Sequence, residues 1–121
     1  MEFPGIDQLL GQASRASGGL TDFGTGHEPG LARLVDEIRR RVQVSEHNIQ
    51  QLTGILVAVL VSRLYSQRGW KERPGCLAQP IRSPLVVVGI PRSGTTALHK
   101  LLSMDPRFQG LEQWLINTPM P

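Results

Sequence analysis

The chain has 121 residues, of which 40% are hydrophobic, so it is long enough for one domain with an apolar core. Its formal net charge of +3 is mild evidence for an anionic ligand, but the basic residues are spread along the chain, which argues against nucleic-acid binding. The single cysteine, Cys76, excludes an intrachain disulfide, and the three histidines are too far apart for a metal motif. No metal site is predicted.

Three amphipathic helices are predicted in the first 71 residues. Apolar residues at helical spacing from Ile6 to Ala13 predict a first helix, which Gly18 and Gly19 should end. A loop, "LTDFGTGHEPG", follows. Pro29 suits the first turn of a second helix, and Ser45 is a candidate N-cap for a third. The apolar positions of the second and third helices are Leu31, Leu34, Val35, Ile38, Val42, Ile49, Leu52, Ile55, Leu56, Val59, Leu60 and Leu64.

Two features of this helical region have alternative interpretations. The β-branched run in the third helix could form a buried strand, although the flanking helical periodicity favours a helix. The arginines at 39–41 could bind phosphate, but we interpret them as a solvated helix face.

The N-terminus lacks the basic and apolar regions of a signal peptide, and the longest apolar run, 55–61, is shorter than the roughly 20 residues of a membrane span. A soluble, cytoplasmic protein without a transmembrane segment is predicted.

The architecture is predicted to change after a proline-rich linker at residues 72–84, because proline removes a backbone donor and disfavours helix before it. Leu85 to Val88 is a short continuous apolar run, typical of a strand covered on both faces in a parallel sheet. Residues 85–121 are therefore predicted to begin an α/β domain, with a second short strand at 108–112.

A candidate anion site follows this strand in "GIPRSGTTALHKLL", residues 89–102. A strand that turns through glycine into a helix presents unpaired backbone N–H groups and a favourable dipole to a negative ligand. Gly89 and Gly94 permit a close backbone approach, and Arg92 adds a planar fork suited to phosphate or sulfate oxygens. Hydroxyl donors come from Ser93, Thr95 and Thr96.

The spacing of this loop matches the nucleotide-binding pattern G-x-x-x-x-G-K-[ST], except that Thr95 replaces the lysine. That lysine contacts the outer phosphates of a nucleoside triphosphate, so its loss argues against ordinary ATP or GTP chemistry. The positive charge is instead at Arg92, in the middle of the loop.

"GIPRSGTTALHKLLSMDPRF" resembles the sulfotransferase family, and specifically its bacterial branch with a Pro-Arg-Ser-Gly-Thr-Thr loop. The resemblance is strong from Pro84 to Pro121, and "LTDFGTG", "SRL" and Trp70 add weaker similarity. It implies a P-loop-like, doubly wound parallel sheet after a helical N-terminal region, with only the first strand–loop–helix unit in this chain. It also implies sulfuryl transfer from 3′-phosphoadenosine 5′-phosphosulfate to an acceptor hydroxyl or amine, without a metal. The phosphosulfate would be bound by Arg92, Ser93, Gly94, Thr95 and Thr96.

A general base for the acceptor is not evident from the sequence. Glu112 is a candidate, although many relatives carry the acid after the tryptophan, whereas Glu112 precedes Trp114 by two residues. His99 is expected to pack or to form local hydrogen bonds, and Trp70 and Trp114 are expected to be packing residues.

The family's contacts to the 3′-phosphate and adenine lie on later strands, so we expect this chain to be an N-terminal part of a longer enzyme and inactive alone. Two other interpretations stay open: a P-loop kinase or NTPase with a displaced charge, and a non-catalytic helical interaction module. The acceptor, which could be a lipid, a sugar or a small metabolite, and the oligomeric state are not determined by the sequence.

Overall fold

The computed structural model describes residues 2–41 and 45–117, so Val42 of the predicted second helix and residues 118–121 lie outside the described part. The described residues form five α-helices and a short 3₁₀ turn. In chain order these are α1 (Ile6–Ala16), α2 (Glu28–Arg41), α3 (Glu46–Glu72), the 3₁₀ turn Pro74–Ala78, α4 (Thr95–Leu102) and α5 (Gln113–Asn117).

The helix ends follow the predicted signals. α1 ends before Gly18 and Gly19, whose φ angles of 79° and 95° are in the left-handed region that glycine adopts freely. Pro29 is the second residue of α2, where a backbone N–H has no acceptor within the helix, so proline loses no hydrogen bond there. At α3, the Ser45 side chain accepts a hydrogen bond from the Asn48 N–H at 3.3 Å. The prediction of a third helix rather than a buried strand is confirmed.

The hydrophobic core lies between α1, α2 and α3. Leu9 and Leu64 are the largest side chains that are fully buried, and α1 packs along α3. Burial of a leucine side chain contributes about 2 kcal/mol, so this contact holds the helices together. The other buried hydrophobic residues are Phe3, Ala13, Val35, Ile49 and Leu60.

The "LTDFGTG" loop is bound along one polar stripe of α3, formed by Arg63, Gln67 and Lys71 at successive steps of four residues. The Arg63 guanidinium donates to the Phe23 carbonyl oxygen and, at 2.6 Å, to the Thr25 carbonyl oxygen. Lys71 Nζ lies 2.7 Å from Asp22 Oδ2, and this hydrogen bond, aided by the Gly24 N–H, lowers the pKa of Asp22. Glycine is favoured at position 24, because its φ angle of 66° is in the left-handed region and a Cβ would lie 2.2 Å from the Gln67 amide nitrogen.

Three predicted core positions are exposed, whereas Arg39 is exposed as predicted and also forms hydrogen bonds within the chain. Ile55 and Val59 of α3 are 60% and 61% exposed, because α1 covers only one side of this long helix. Leu34 is 44% exposed, and Val35 takes the buried position beside it. Arg39, predicted to be solvated, donates from two guanidinium nitrogens to the Phe3 carbonyl oxygen at 3.2 and 2.8 Å. These hydrogen bonds from Arg39 therefore connect the N-terminal segment to α2.

By length and composition alone, α3 could cross a membrane, with a mean hydropathy of 1.3 over its most apolar window. This is weak evidence, because a core helix of a soluble protein meets the same criterion. Only 22% of that window is buried, and the ion pair and hydrogen bonds of the polar stripe bind the helix to a loop of the same chain.

The two predicted strands are not present in the described part of the chain. Residues 84–90 and 109–112 have no regular structure, and Val86 and Val88 are 73% and 87% exposed. A strand requires a neighbouring strand to pair its backbone groups, and no described segment lies beside residues 84–90 as such a partner. The parallel sheet therefore stays a prediction. The division into 1–71, 72–84 and 85–121 also stays a prediction, although the described residues that are buried all precede residue 67.

We predict that Leu64→Ala lowers the free energy of unfolding by about 2 to 5 kcal/mol, because it leaves a cavity between α3 and α1. Ile55→Ala, on the exposed side of the same helix, is the matched control and should change the free energy by less than about 0.5 kcal/mol. Urea unfolding followed by circular dichroism measures both. Equal losses for the two variants would contradict the packing of α1 on this side of α3.

Candidate functional site

The loop between residues 89 and 95 is a tight turn with two left-handed residues. The Ser93 N–H donates to the Ile90 carbonyl oxygen at 3.2 Å, which closes the turn. Arg92 and Gly94 have φ angles of 69° and 86°. Glycine adopts this conformation at no cost, whereas for arginine it costs on the order of 1 kcal/mol. The loop geometry is thus imposed on Arg92 rather than preferred by it.

Gly89 allows the loop to fold back against its own start. A Cβ at this position would lie 2.6 Å from Ser93 Oγ and 2.8 Å from Thr95 Cγ2. Both distances are shorter than any ordinary carbon contact, so a side chain at 89 would push the hydroxyl-bearing residues outward. The structure therefore brings together Gly89, Ser93 and Thr95.

The N-terminus of α4 lies directly after this turn. Gly94 is its N-cap and has no side chain to accept a hydrogen bond, and the first helical bond is donated by the Leu98 N–H to the Gly94 carbonyl oxygen at 3.0 Å. The N–H groups of Thr95, Thr96 and Ala97 therefore have no acceptor among the described residues. We call this exposed end of α4, with the turn at 91–94, the cradle.

The charge at the cradle is positive. Arg92 is exposed and forms no ion pair with the residues that the structure describes, so its guanidinium is available to a ligand. No acidic residue lies in the first turn of α4, and the helix dipole adds partial positive charge at the same place. Backbone donors, hydroxyls and one guanidinium together favour a phosphate or sulfate group.

After α4 the chain turns back along the helix. Asp105 accepts the Arg107 N–H at 3.0 Å and pairs with the Arg107 guanidinium at 2.6 Å. These bonds lower the pKa of Asp105 and raise that of Arg107. Gly110 then lies so close to Ser103 that a Cβ at 110 would be 2.2 Å from Ser103 Oγ. We call residues 109–114 the return segment.

The return segment brings Glu112 to the side of α4. A groove of about 470 Å³ lies between them, with Thr96 and His99 on one wall and Glu112 on the other. The Trp114 indole N–H donates to Glu112 Oε2 at 2.8 Å. Trp114 is 64% exposed, so its predicted packing role is wrong within the described residues. Arg92 and Ser93 do not line this groove.

The other two candidates, His99 and Trp70, are both half-buried. His99 is half-buried on α4, and its carbonyl oxygen accepts a hydrogen bond from Ser103 Oγ at 2.8 Å. Trp70 is half-buried near the end of α3. The sequence analysis did not predict the hydrogen bond between Trp114 and Glu112, which are two residues apart. The turn residues Asp105 and Gly110 could have indicated that the chain reverses after α4.

Comparisons with known proteins show similarity to one family of enzymes. The model of the sulfotransferase family matches residues 84–121, which contain the cradle and the return segment. A solved structure adds to this: the crystal structure of sulfotransferase STF1 from Mycobacterium tuberculosis H37Rv, type 1 form, matches with a TM-score of 0.92 and 36% sequence identity. No curated protein matches the chain significantly.

The structural match covers 99% of this chain and 33% of the STF1 chain, so this chain spans about a third of that protein's length. Both findings support the resemblance to the sulfotransferase family inferred from the sequence: the chain is similar to that family over residues 84–121 and to this solved relative over 99% of its own length. The match also includes the helical region before residue 72, where the sequence similarity seemed weaker.

We predict that Gly89→Ala weakens anion binding at the cradle about tenfold, because the new methyl group displaces Ser93 and Thr95 from the turn. Gly75→Ala, where a Cβ meets nothing within 4 Å, is the control. Titration with inorganic sulfate, followed by the NMR amide shifts of Gly94, Thr95 and Thr96, measures the affinity. Identical titrations for the two alanine variants would contradict the close approach at Gly89.

Proposed function

We propose that this chain forms the donor-binding part of a sulfotransferase that transfers a sulfuryl group from 3′-phosphoadenosine 5′-phosphosulfate to an acceptor hydroxyl or amine. The observation that carries the proposal is the uncapped N-terminus of α4 beside the free guanidinium of Arg92, within the segment that the family model matches. The family and its solved relative support a sulfotransferase enzyme in general.

The cradle residues suit the donor's phosphosulfate group. The N–H groups of Thr95 and Thr96 would bind one set of oxygens, and the Ser93 and Thr96 hydroxyls would add donors from either side of Gly94. Arg92 would bind in a bidentate manner, since its guanidinium is planar and unpaired among the described residues. These donors form a fixed array that can stabilise charge as it moves onto the phosphate oxygens during transfer.

The reaction needs no lysine at position 95. In phosphoryl transfer from ATP, that lysine and magnesium neutralise a triphosphate, whereas a phosphosulfate carries less charge. Thr95 is half-buried and its methyl group lies against Gly89. The side chain at this position therefore packs against the loop and carries no charge. Threonine at position 95, in place of the lysine of the nucleotide-binding pattern, therefore favours the sulfuryl donor over a nucleoside triphosphate.

Other parts of the proposal concern the whole protein. We propose Glu112 as the general base, because it lies across the groove from Thr96 at the cradle. The structural relative supports a soluble protein, and a cytoplasmic location is part of the proposal. Contacts to the 3′-phosphate and adenine would come from elements outside this chain.

We predict that the full-length protein binds 3′-phosphoadenosine 5′-phosphate without magnesium, and more tightly than it binds ATP with magnesium. The reason is the absence of the lysine that a triphosphate requires. Isothermal titration calorimetry in the presence of EDTA and then of magnesium measures both affinities. Magnesium-dependent ATP binding without bisphosphate binding would indicate a kinase or NTPase, and binding of neither nucleotide would indicate an interaction module.

Substitution of Arg92 tests the cradle directly. Arg92→Ala should lower donor affinity or activity by ten- to a hundredfold, as expected for a charge-assisted contact of about 1.5 to 3 kcal/mol. Arg92→Gly should lose as much while relieving the left-handed backbone, so its melting temperature should not fall. Arg92→Lys should lose less, because a point charge still reaches the anion.

Arg33→Ala is the matched control for Arg92, because Arg33 is an exposed arginine on α2, away from the cradle. Arg39 is unsuited to this purpose, since it binds the Phe3 carbonyl oxygen. Labelled sulfate transfer and thermal-shift assays provide the readouts. Full activity in folded Arg92→Gly and Arg92→Ala would place the anion site elsewhere.

A further inference from the structure

An apolar groove runs along the side of α3 that α1 leaves uncovered. It has a volume of about 820 Å³, and no residue of the cradle lines it. The exposed side chains of Ile55 and Val59 line the groove, and Gly54 and Ala58 leave room along the helix because their side chains are absent or small. A groove of this volume is within the range of small-molecule sites in proteins, roughly 300 to 1,000 Å³.

The end of the groove toward the C-terminus of α3 is polar. Tyr65 and Arg68 line it there, and the Arg68 guanidinium carbon lies 5.0 Å from the centre of the Tyr65 ring. A cation over an aromatic ring is attracted to it, so this contact orients the guanidinium. Arg68 is the one charged residue among the described residues that line the groove. The groove therefore joins an apolar surface to a single positive charge.

The neighbouring charges leave Arg68 able to bind an anion. Glu72 Oε1 lies 3.8 Å from Arg68 Nε, but Glu72 lines a separate cavity together with Asp22 and Lys71. The Arg68 and Glu72 side chains are 47% and 66% exposed, and exposed ion pairs are weak because water screens them. Lys71 is paired with Asp22 at 2.7 Å. An anionic group in the groove would therefore meet Arg68 alone.

The dimensions of this side of α3 limit what can cover it. Between Gly54 and Arg68 the helix rises by about 21 Å, since each residue adds about 1.5 Å. With a helix diameter of about 10 Å, this side offers roughly 200 Å², whereas a stable protein interface needs about 800 Å² from each partner. A second copy of the chain would bind too weakly on this surface alone. A narrow, extended apolar ligand matches its length.

We propose that this groove binds one long-chain carboxylate, with its acyl chain along α3 and its carboxylate on Arg68. The chain would remove Ile55 and Val59 from water, which favours binding in proportion to the apolar area covered. The planar guanidinium of Arg68 would donate charge-assisted hydrogen bonds to the carboxylate oxygens. This inference does not depend on the proposed sulfuryl transfer, because the groove and the cradle share no residue.

The first test compares two ligands that share an acyl chain and differ in the charge of the head group. Isothermal titration calorimetry on the full-length protein measures the affinities of hexadecanoate and hexadecyltrimethylammonium, each below the concentration at which it forms micelles. Hexadecanoate should bind at least about tenfold more tightly, because Arg68 attracts the carboxylate and repels the ammonium. Equal affinities, or tighter binding of the ammonium, would overturn the proposal.

The second test removes the charge and the space separately. Arg68→Gln should weaken hexadecanoate binding about tenfold without weakening ammonium binding, and Arg33→Gln, at an exposed arginine on α2, is its control. Ala58→Phe should abolish binding of both ligands by filling the groove, and Ala78→Phe, at an exposed alanine of the 3₁₀ turn, is its control.

Melting temperatures establish that each variant is folded. If Ala58→Phe does not fold, Arg68→Gln decides the outcome by itself. Unchanged hexadecanoate affinity in folded Arg68→Gln would contradict the site.

Two other occupants of the groove would give different results. If other parts of the full-length protein cover this side of α3, hexadecanoate should not bind, and Ala58→Phe should lower the melting temperature more than Ala78→Phe does. If a membrane surface covers it, the protein should float with vesicles of phosphatidylcholine and phosphatidylglycerol but should not bind monomeric hexadecanoate. Either result would overturn the proposal.

Discussion

The N–H groups in the first turn of an α-helix have no acceptor within the helix. The helices of this chain differ in whether a side chain forms a hydrogen bond at that end. At α1 the Gln8 side chain accepts the Gly5 N–H, and at α3 Ser45 caps the Asn48 N–H. At α4 the N-cap is Gly94, which has no side chain to offer. A side chain thus binds a backbone N–H at the start of α1 and of α3, whereas no side chain of the described residues does so at the start of α4.

Two regions of the chain differ in what holds them. Between residues 2 and 72, buried leucines and arginine-to-carbonyl hydrogen bonds fix the helices to one another. Between 73 and 117, the described side chains are at least partly exposed, and the order comes from local turns such as that between Asp105 and Arg107. A hydrogen bond from Ser62 Oγ to the Asn117 carbonyl oxygen also connects α3 to α5. Local hydrogen bonds can define a loop, but apolar residues such as Val88 gain nothing until other surfaces cover them.

The sequence predicted what is encoded locally. Helical periodicity, the Ser45 cap and the paired glycines after α1 depend on neighbours within a few residues, so the pattern reveals them directly. The strand at 85–88 stays a prediction for the opposite reason, because strand pairing depends on a partner strand, and no strand is present among the described residues. At the candidate site, the loop residues were predicted. The hydrogen bond from Trp114 to Glu112, two residues apart, was missed because a sequence pattern does not specify how two neighbouring side chains are oriented.

The polar stripe on α3 makes the spacing between Arg63 and Lys71 as important as their identity. Because each residue of a helix turns by about 100°, one residue inserted between them would rotate Lys71 away from Asp22 while Arg63 stayed on the Phe23 carbonyl. A deletion would have the same effect in the opposite sense. An α-helix usually tolerates many substitutions on its surface, but this segment of α3 is constrained in length, and related sequences that conserve the loop should show no gaps there.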